Sequence, residues 1–289
     1  MESDFYNDKF YFARTPLEQA DLVIWGLPWD CTTSYRAGTR EGPYALRRAF
    51  EAVESFSPYC DQDLEDLKIH DAGNLELPFG DTDQTLALIR RHTQRFLQQN
   101  KKLISLGGEH LLTLPLIEQY YKHFGPNLHI LHLDAHCDLR EEYLGVKFSH
   151  ASVMSLTREH IGIDNISHFF IRSGSRKEWL RLRQSPHTYV LNYPCTEDTI
   201  DKIPLDYLRN NKLYLTIDLD VFDPALIPGT GVPDAGGITF DDFISFLDRL
   251  NGFNLVGCDL MELAPQIDPT GASSITAAKI LRETIFKMV

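Results

Sequence analysis

The chain has 289 residues, 43% of them hydrophobic and 24% charged, which is enough for one large α/β domain. Its 28 basic and 41 acidic residues give a formal charge of −13. That charge repels nucleic acid and anionic membrane surfaces, which excludes both as expected partners; its commoner role is solubility, and beyond that it can draw a cationic substrate toward a cleft. Cys31, Cys60, Cys137, Cys195 and Cys258 are odd in number, irregularly spaced and without a C-x-x-C pair, which excludes a disulfide framework and leaves reduced thiols.

Proline and glycine are spread along the chain rather than gathered into a linker, so residues 1–289 are expected to form a single domain. The start, Met1-Glu2-Ser3-Asp4-Phe5-Tyr6, is acidic and lacks the basic residues and apolar run of a secretory signal. No stretch approaches a membrane span in length. The expected location is the cytoplasm.

In chain order, a short apolar run at residues 22–26 reads as a strand, and helical spacing follows at 43–55, with Pro43 placed for a first turn. A second helix is expected at 83–99, a strand at 102–106, a helix at 115–123 and a strand at 128–134. Strands at 168–172, 188–191 and 213–218, a helix at 239–250, a strand at 255–259 and a helix at 274–287 complete the pattern. This alternation predicts a three-layer α/β/α sandwich around a mainly parallel central sheet. In such sheets ligands bind outside the carboxyl ends of the strands, so polar residues just past each run are where chemistry belongs.

Three runs end in metal-ligand residues. The run 128–133 leads into Asp134-Ala135-His136-Cys137-Asp138, and period-2 geometry would project carboxylate, imidazole and carboxylate to one side. The run 213–217 ends in Asp218-Leu219-Asp220, which supplies two more carboxylates. Gly107-Gly108-Glu109-His110 permits a tight turn that delivers an imidazole at a strand tip. A single aspartate at a strand end is more often a turn or helix cap, but D-x-H-x-D after a buried strand is hard to explain that way. Four clustered aspartates would resist ionisation together. Two divalent cations balance their formal charge, neutral imidazoles complete the coordination, and a carboxylate-rich mixed set suits manganese. His129 and His132, inside the strand, are read as packed or hydrogen-bonded core residues without chemistry, and Cys137 as a filler between ligands.

These segments, with SHASVM at 149–154, TIDLDVFDP at 216–224 and supporting stretches at 34–43, 228–231 and 261–265, resemble the ureohydrolase family of arginases and agmatinases over nearly the whole chain. The resemblance implies that His110, Asp134, Asp138 and Asp218 hold one of two Mn2+ ions, and Asp134, His136, Asp218 and Asp220 the other. It also implies Asp138 as the residue that orients the attacking water, His150 as a proton-transfer group and Glu262 as the carboxylate that grips a guanidinium. A homo-oligomer, trimer or hexamer, is implied as well.

Residues 139–147 lack the asparagines that arginases typically carry after D-x-H-x-D. This looks like the agmatinase side of the family and implies a small cationic guanidino substrate, agmatine, cleaved to putrescine and urea. Glu141, Glu142 or Tyr143 would then meet its distal ammonium. The alternatives are an aminopropylagmatine ureohydrolase, an arginase, a hydrolase of another guanidino compound and, more remotely, a metal-binding module without catalysis. A single-zinc deacetylase fits the six-ligand set poorly.

Overall fold

The apolar runs pair side by side. In the structure, a computed structural model that describes residues 5–6, 9–162, 165–189 and 203–289, the strands are β1 (Phe5–Tyr6), β2 (Leu22–Leu27), β3 (Phe56–Ser57), β4 (Gln62–Asp63), β5 (Ile69–Leu75), β6 (Lys102–Gly107), β7 (Leu128–Leu133), β8 (Ile166–Phe169), β9 (Thr188–Tyr189), β10 (Lys212–Asp218) and β11 (Asn254–Met261). Nine of them form one sheet in the order β1-β5-β2-β6-β11-β10-β7-β8-β9, and β3 pairs with β4 apart from it. Every pairing in the large sheet is parallel except β1 against β5.

The helices are α1 (Gly42–Ala49), α2 (Thr82–Gln98), α3 (Thr113–Phe124), α4 (Val153–Ile161), α5 (Arg176–Leu182), α6 (Phe240–Arg249) and α7 (Ala272–Met288). Alternation along the strands sorts them into two layers. On β2, Leu22 and Ile24 point into a core shared with Leu46 of α1, Phe243 and Phe246 of α6 and Leu281 of α7. Val23 and Trp25 point into the opposite core, with Ile89 of α2, Ile117 of α3, Leu156 of α4 and Leu182 of α5. Burial on both faces explains why these strands read as continuous apolar runs. Phe246 is fully buried, and truncating it to alanine would cost about 3–5 kcal/mol through lost burial and the cavity left behind. The three-layer α/β/α sandwich expected from the sequence is the architecture found.

The departures have physical causes. β5 was absent from the expected elements because Asp71 and Asn74 interrupt its apolar pattern. Both are buried, and Arg47 from α1 donates to both Asp71 oxygens at 2.8 and 2.9 Å. Helix α1 ends at Ala49 rather than Ser55, since Phe50 turns into an aromatic cluster with Phe10 and Phe12 and Val53 is extended. β8 ends at Phe169 rather than residue 172, because Phe170 is left-handed at φ 67. α4 and α5 were not expected. α5 is charged (RKEWLRL) and is set by a capping box of Ser175 and Glu178. Positions 190–191 of the strand expected at 188–191, together with Cys195, lie outside the described residues. Among the described residues, no helix is long and apolar enough to cross a membrane.

Candidate active site

β6, β11, β10 and β7 are consecutive neighbours in the sheet, so the segments leaving their carboxyl ends are brought to one edge. His110 opens the turn after β6, Asp134, His136 and Asp138 follow β7, Asp218 closes β10 with Asp220 just beyond, and Glu262 follows β11. His110 Nδ1 lies 3.2 Å from Asp134 Oδ2, 3.2 Å from Asp138 Oδ2 and 3.3 Å from Asp218 Oδ2. His136 Nδ1 lies 2.7 Å from Asp220 Oδ2 and 3.7 Å from Asp134 Oδ1. Two groups share Asp134, one with His110, His132 and Asp138 and the other with His136 and Asp220, and Asp218 joins the first through His110, so all six expected residues meet.

The backbone is shaped for this meeting. Gly108 passes so close to Trp29 that a Cβ would collide with the Trp29 main chain, which is the close approach only glycine permits. Asp138 and Glu262 are both left-handed, at φ 51 and 67, a conformation costing roughly 1–2 kcal/mol for a residue with a side chain. Hydrogen bonds hold each there. The Asp138 carbonyl accepts from Met154 and Ser155 N–H, and Glu262 N–H donates to Gly108 O. Arg172 clamps the neighbouring loop by donating to Asp220 O at 2.7 Å and Val221 O at 3.1 Å.

The donor set fits a divalent cation. Thr216 donates to Asp259 Oδ1 at 2.6 Å, so its oxygen accepts the Nε2–H of His110 at 2.9 Å. Asp259 is itself fixed by Tyr214 and Thr113 hydroxyls at 2.7 and 2.9 Å. The opposite nitrogen, Nδ1, is buried without a hydrogen-bond partner while three carboxylate oxygens surround it. A cation satisfies that nitrogen and all three oxygens at once, with the ring oriented from behind by a hydroxyl and a carboxylate.

The electrostatics agree. Burial first, then Asp220 and Asp134, push Asp218 well above the carboxylate range, and burial with Asp134 raises Asp138. Burial pulls His110 down, but Asp134, Asp138 and Asp218 outweigh it and hold the ring well above the usual imidazole range. His136 behaves alike, with Asp220 the main charge opposing burial, and is pushed up to about 11. Without a metal the surrounding carboxylates favour the protonated rings, and a metal would bind them in the neutral form.

The cluster floors a cavity of about 420 Å³ whose wall includes Ser34, Arg140, Tyr143, His150, Glu178 and Glu262. His150 N–H donates to Thr32 Oγ1 at 3.1 Å, and its ring nitrogens face Thr32 Oγ1 at 3.3 Å and Ser34 Oγ at 3.4 Å. Burial lowers its pKa, partly offset by Asp138. Glu262 Oε1 accepts the N–H of His110 at 2.7 Å, and burial followed by Glu109 raises its pKa well above the usual range. Of the three residues expected near a substrate tail, Tyr143 lines the cavity. Glu141 instead pairs with Lys177 on the surface at 2.8 Å, and Glu142 is exposed and outside the cavity wall. Cys137 is buried, and burial raises its thiol pKa, as befits a filler.

His132 is the buried, hydrogen-bonded core residue the sequence suggested, but its partner was not foreseen. It donates directly toward Asp134, with Nε2 2.8 Å from Oδ2, and the signal was available: two residues before Asp134 on an extended strand, it shares that residue's face. Thr216, two residues before Asp218 on β10, carried the same signal and was also missed, as were Thr32, Ser34 and Asp259.

Comparison with known proteins agrees with this geometry. A family model described as the arginase family matches residues 20–287. An agmatinase of Bacillus subtilis strain 168 is 38% identical over 287 residues, covering 98% of this chain and 98% of its own. Among solved structures, the agmatine ureohydrolase of Thermoplasma volcanium superposes with a TM-score of 0.83 at 27% identity, covering 99% of this chain and 96% of its own. The proclavaminate amidino hydrolase of Streptomyces clavuligerus gives a TM-score of 0.81 at 26% identity, covering 93% and 92%. On a match that includes every strand end of the cluster, the chain belongs to the arginase family, the ureohydrolases, and is a metal-dependent C–N hydrolase.

Proposed function

We propose that the chain hydrolyses agmatine to putrescine and urea, with two Mn2+ ions held by His110, Asp134, Asp138 and Asp218 and by Asp134, His136, Asp218 and Asp220. The observation that carries the metal site is His110 Nδ1, unpartnered and ringed by three carboxylate oxygens. The substrate follows the names of the Bacillus and Thermoplasma relatives. When bound, two divalent ions make water a nucleophile near neutral pH by lowering its pKa.

The protein's own groups do the rest. Glu262 draws the guanidinium in. Because Oε1 is already engaged by His110 N–H, the grip falls chiefly to Oε2, and the arriving cation favours the ionised form that burial opposes. Asp138 orients the attacking water. His150, at the cavity wall and held neutral by burial, takes a proton and returns it to the departing amine as the C–N bond breaks.

Arg140 supports a second reading. Its side chain lines the cavity and stacks 4.4 Å over the Tyr143 ring, and a guanidinium there suits a guanidino compound whose tail carries a carboxylate. Glu178 Oε2, 3.4 Å from Arg140 Nε, offsets that charge and leaves agmatine the preferred substrate. The test is urea release by the manganese-reconstituted protein with agmatine, arginine, aminopropylagmatine and guanidinobutyrate side by side, and with Asp134→Asn as control. Preference for agmatine, lost in the control, supports the first reading. Preference for guanidinobutyrate replaces it with the second, and no urea from any compound overturns both.

A further inference from the structure

Behind Asp134 runs a chain of buried hydrogen bonds that leaves the site altogether. His132 on β7 and His168 on β8 are register partners across parallel strands, and their Nδ1 atoms lie 2.9 Å apart. Arg158 on α4 reaches in from the helical layer, with Nη2 3.1 Å from His168 Nε2 and 2.8 Å from Ser185 Oγ. All three side chains are buried.

The direction of every proton in this chain is set at its outer end. A guanidinium only donates, so His168 Nε2 accepts. A neutral His168 then carries its proton on Nδ1 and donates to His132 Nδ1. Burial, then His132 and Arg158, keep the His168 ring from charging. His132 is left with its proton on Nε2, which donates to Asp134 Oδ2 at 2.8 Å. Asp134 Oδ1 accepts the main-chain N–H of His136 at 2.6 Å, so both oxygens are pinned from the protein side.

We propose that Arg158 and His168 are positioning residues that fix the tautomer of His132 and thereby the carboxylate plane of Asp134, preparing it to hold divalent metal. This rests on the reading of Asp134 as a metal ligand. The arrangement matches the general rule that partners behind a ligand set its orientation, and their loss typically weakens metal binding about 10–100-fold.

The test is a Mn2+ titration of the metal-free full chain, reading unbound aqueous Mn2+ by electron paramagnetic resonance, with no substrate present. Three variants are compared. His168→Leu fills the space without hydrogen bonds, Arg158→Met removes the outer donor, and His168→Gln keeps an acceptor for Arg158 and a donor for His132. His168→Leu and Arg158→Met are expected to bind Mn2+ at least about tenfold more weakly, and His168→Gln within about threefold of wild type. Circular dichroism and cooperative thermal unfolding of the metal-free proteins identify any variant that fails to fold, and Arg158→Met against His168→Gln still decides if His168→Leu does. Wild-type affinity in folded Arg158→Met or His168→Leu overturns the proposal. So does an equal loss in His168→Gln and His168→Leu, because packing alone would then account for it. An Asp134→Asn control that binds as tightly as wild type, or a wild type that takes up no Mn2+, instead sinks the metal-site reading and the relay with it.

Discussion

The Thr32 hydroxyl donates to Glu109 Oε1 at 2.5 Å while its oxygen accepts the main-chain N–H of His150 at 3.1 Å. A residue 118 positions away thus anchors the segment carrying the proposed proton-transfer group, and Glu109 holds Thr32 a second time through its N–H at 2.7 Å.

Thr32→Val keeps the side-chain shape and removes all three hydroxyl contacts, to Glu109 and to the main chain and ring of His150. The expected result is a kcat lower by about tenfold, the cost of one or two lost hydrogen bonds, with Mn2+ content unchanged and recovery in Thr32→Ser. Steady-state kinetics beside metal analysis checks it, and a kcat equal to wild type would show that His150 needs no anchor.

The same contacts assign the His150 tautomer. Since Thr32 gives its proton to Glu109, Nδ1–H of His150 is the donor to Thr32, and Nε2 accepts from Ser34. Burial lowers the ring's pKa below 6.5, so the neutral base form dominates above that lowered value. Activity should fall, together with the ring's contribution to stability, as pH drops through it. The kcat/KM profile is expected to lose this acid limb in His150→Asn, with kcat down about 10²–10⁴-fold. A limb that persists in the variant assigns it elsewhere.

Glu262→Gln retains an acceptor for His110 N–H but removes the negative charge. Replacing a charge-assisted contact by a neutral one costs about 1.5–3 kcal/mol, so kcat/KM for the guanidino substrate should fall about 10–100-fold with Mn2+ binding preserved. Equal kinetics in the two proteins would remove Glu262 from substrate recognition.

Metal uptake should displace protons. His110 and His136 have raised pKa values, with His136 at about 11, so in the metal-free protein their support is full below 6.5 and fades as pH rises through the folded values. Manganese affinity should therefore increase by about tenfold per pH unit for each proton displaced. The gap in Tm between loaded and chelator-stripped protein should widen from pH 6 to pH 9. Calorimetric titration in buffers of differing ionisation enthalpy counts the protons, and zero release would contradict this account.

Asp268 supports the Glu262 segment from a distance. It accepts from Ser273 Oγ and N–H, both at 2.7 Å, Ser273 Oγ accepts Gly229 N–H at 2.9 Å, and Gly229 O accepts Ala264 N–H. Burial raises the Asp268 pKa, but these donors with Thr270 outweigh it and hold it down at about 2. Its contribution to stability is full above the unfolded value near 3.8 and is lost as pH falls toward 2. Asp268→Asn should lower Tm at pH 7 and flatten the acid limb of stability between pH 4 and pH 2. A Tm loss that is identical at pH 7 and pH 2 would argue against a charged role.

The alternating layers and most residues of the buried histidine–carboxylate cluster were readable in the chain itself. Burial on both faces makes strands such as β7 and β10 continuous apolar runs, and the D-x-H-x-D residues are kept close by adjacency in the chain just past β7, although the chain bends at Ala135 and Asp138 is left-handed at φ 51 rather than extended. β5 escaped notice because Asp71 and Asn74 find their partner, Arg47, on a helix 24 and 27 residues earlier.

What only the tertiary structure decided is which strands are neighbours, and hence who stands behind each ligand. The apolar pattern of a parallel strand is satisfied by any neighbour that covers it, so it does not encode the placing of β10 between β7 and β11. That order sets Thr216 and Asp259 behind His110, and the pairing of β7 with β8 sets His168 against His132. Hydrogen bonds are short and directional, so these partners exist only once the strand order is set, whereas the ligands of a single motif are near one another before the chain folds.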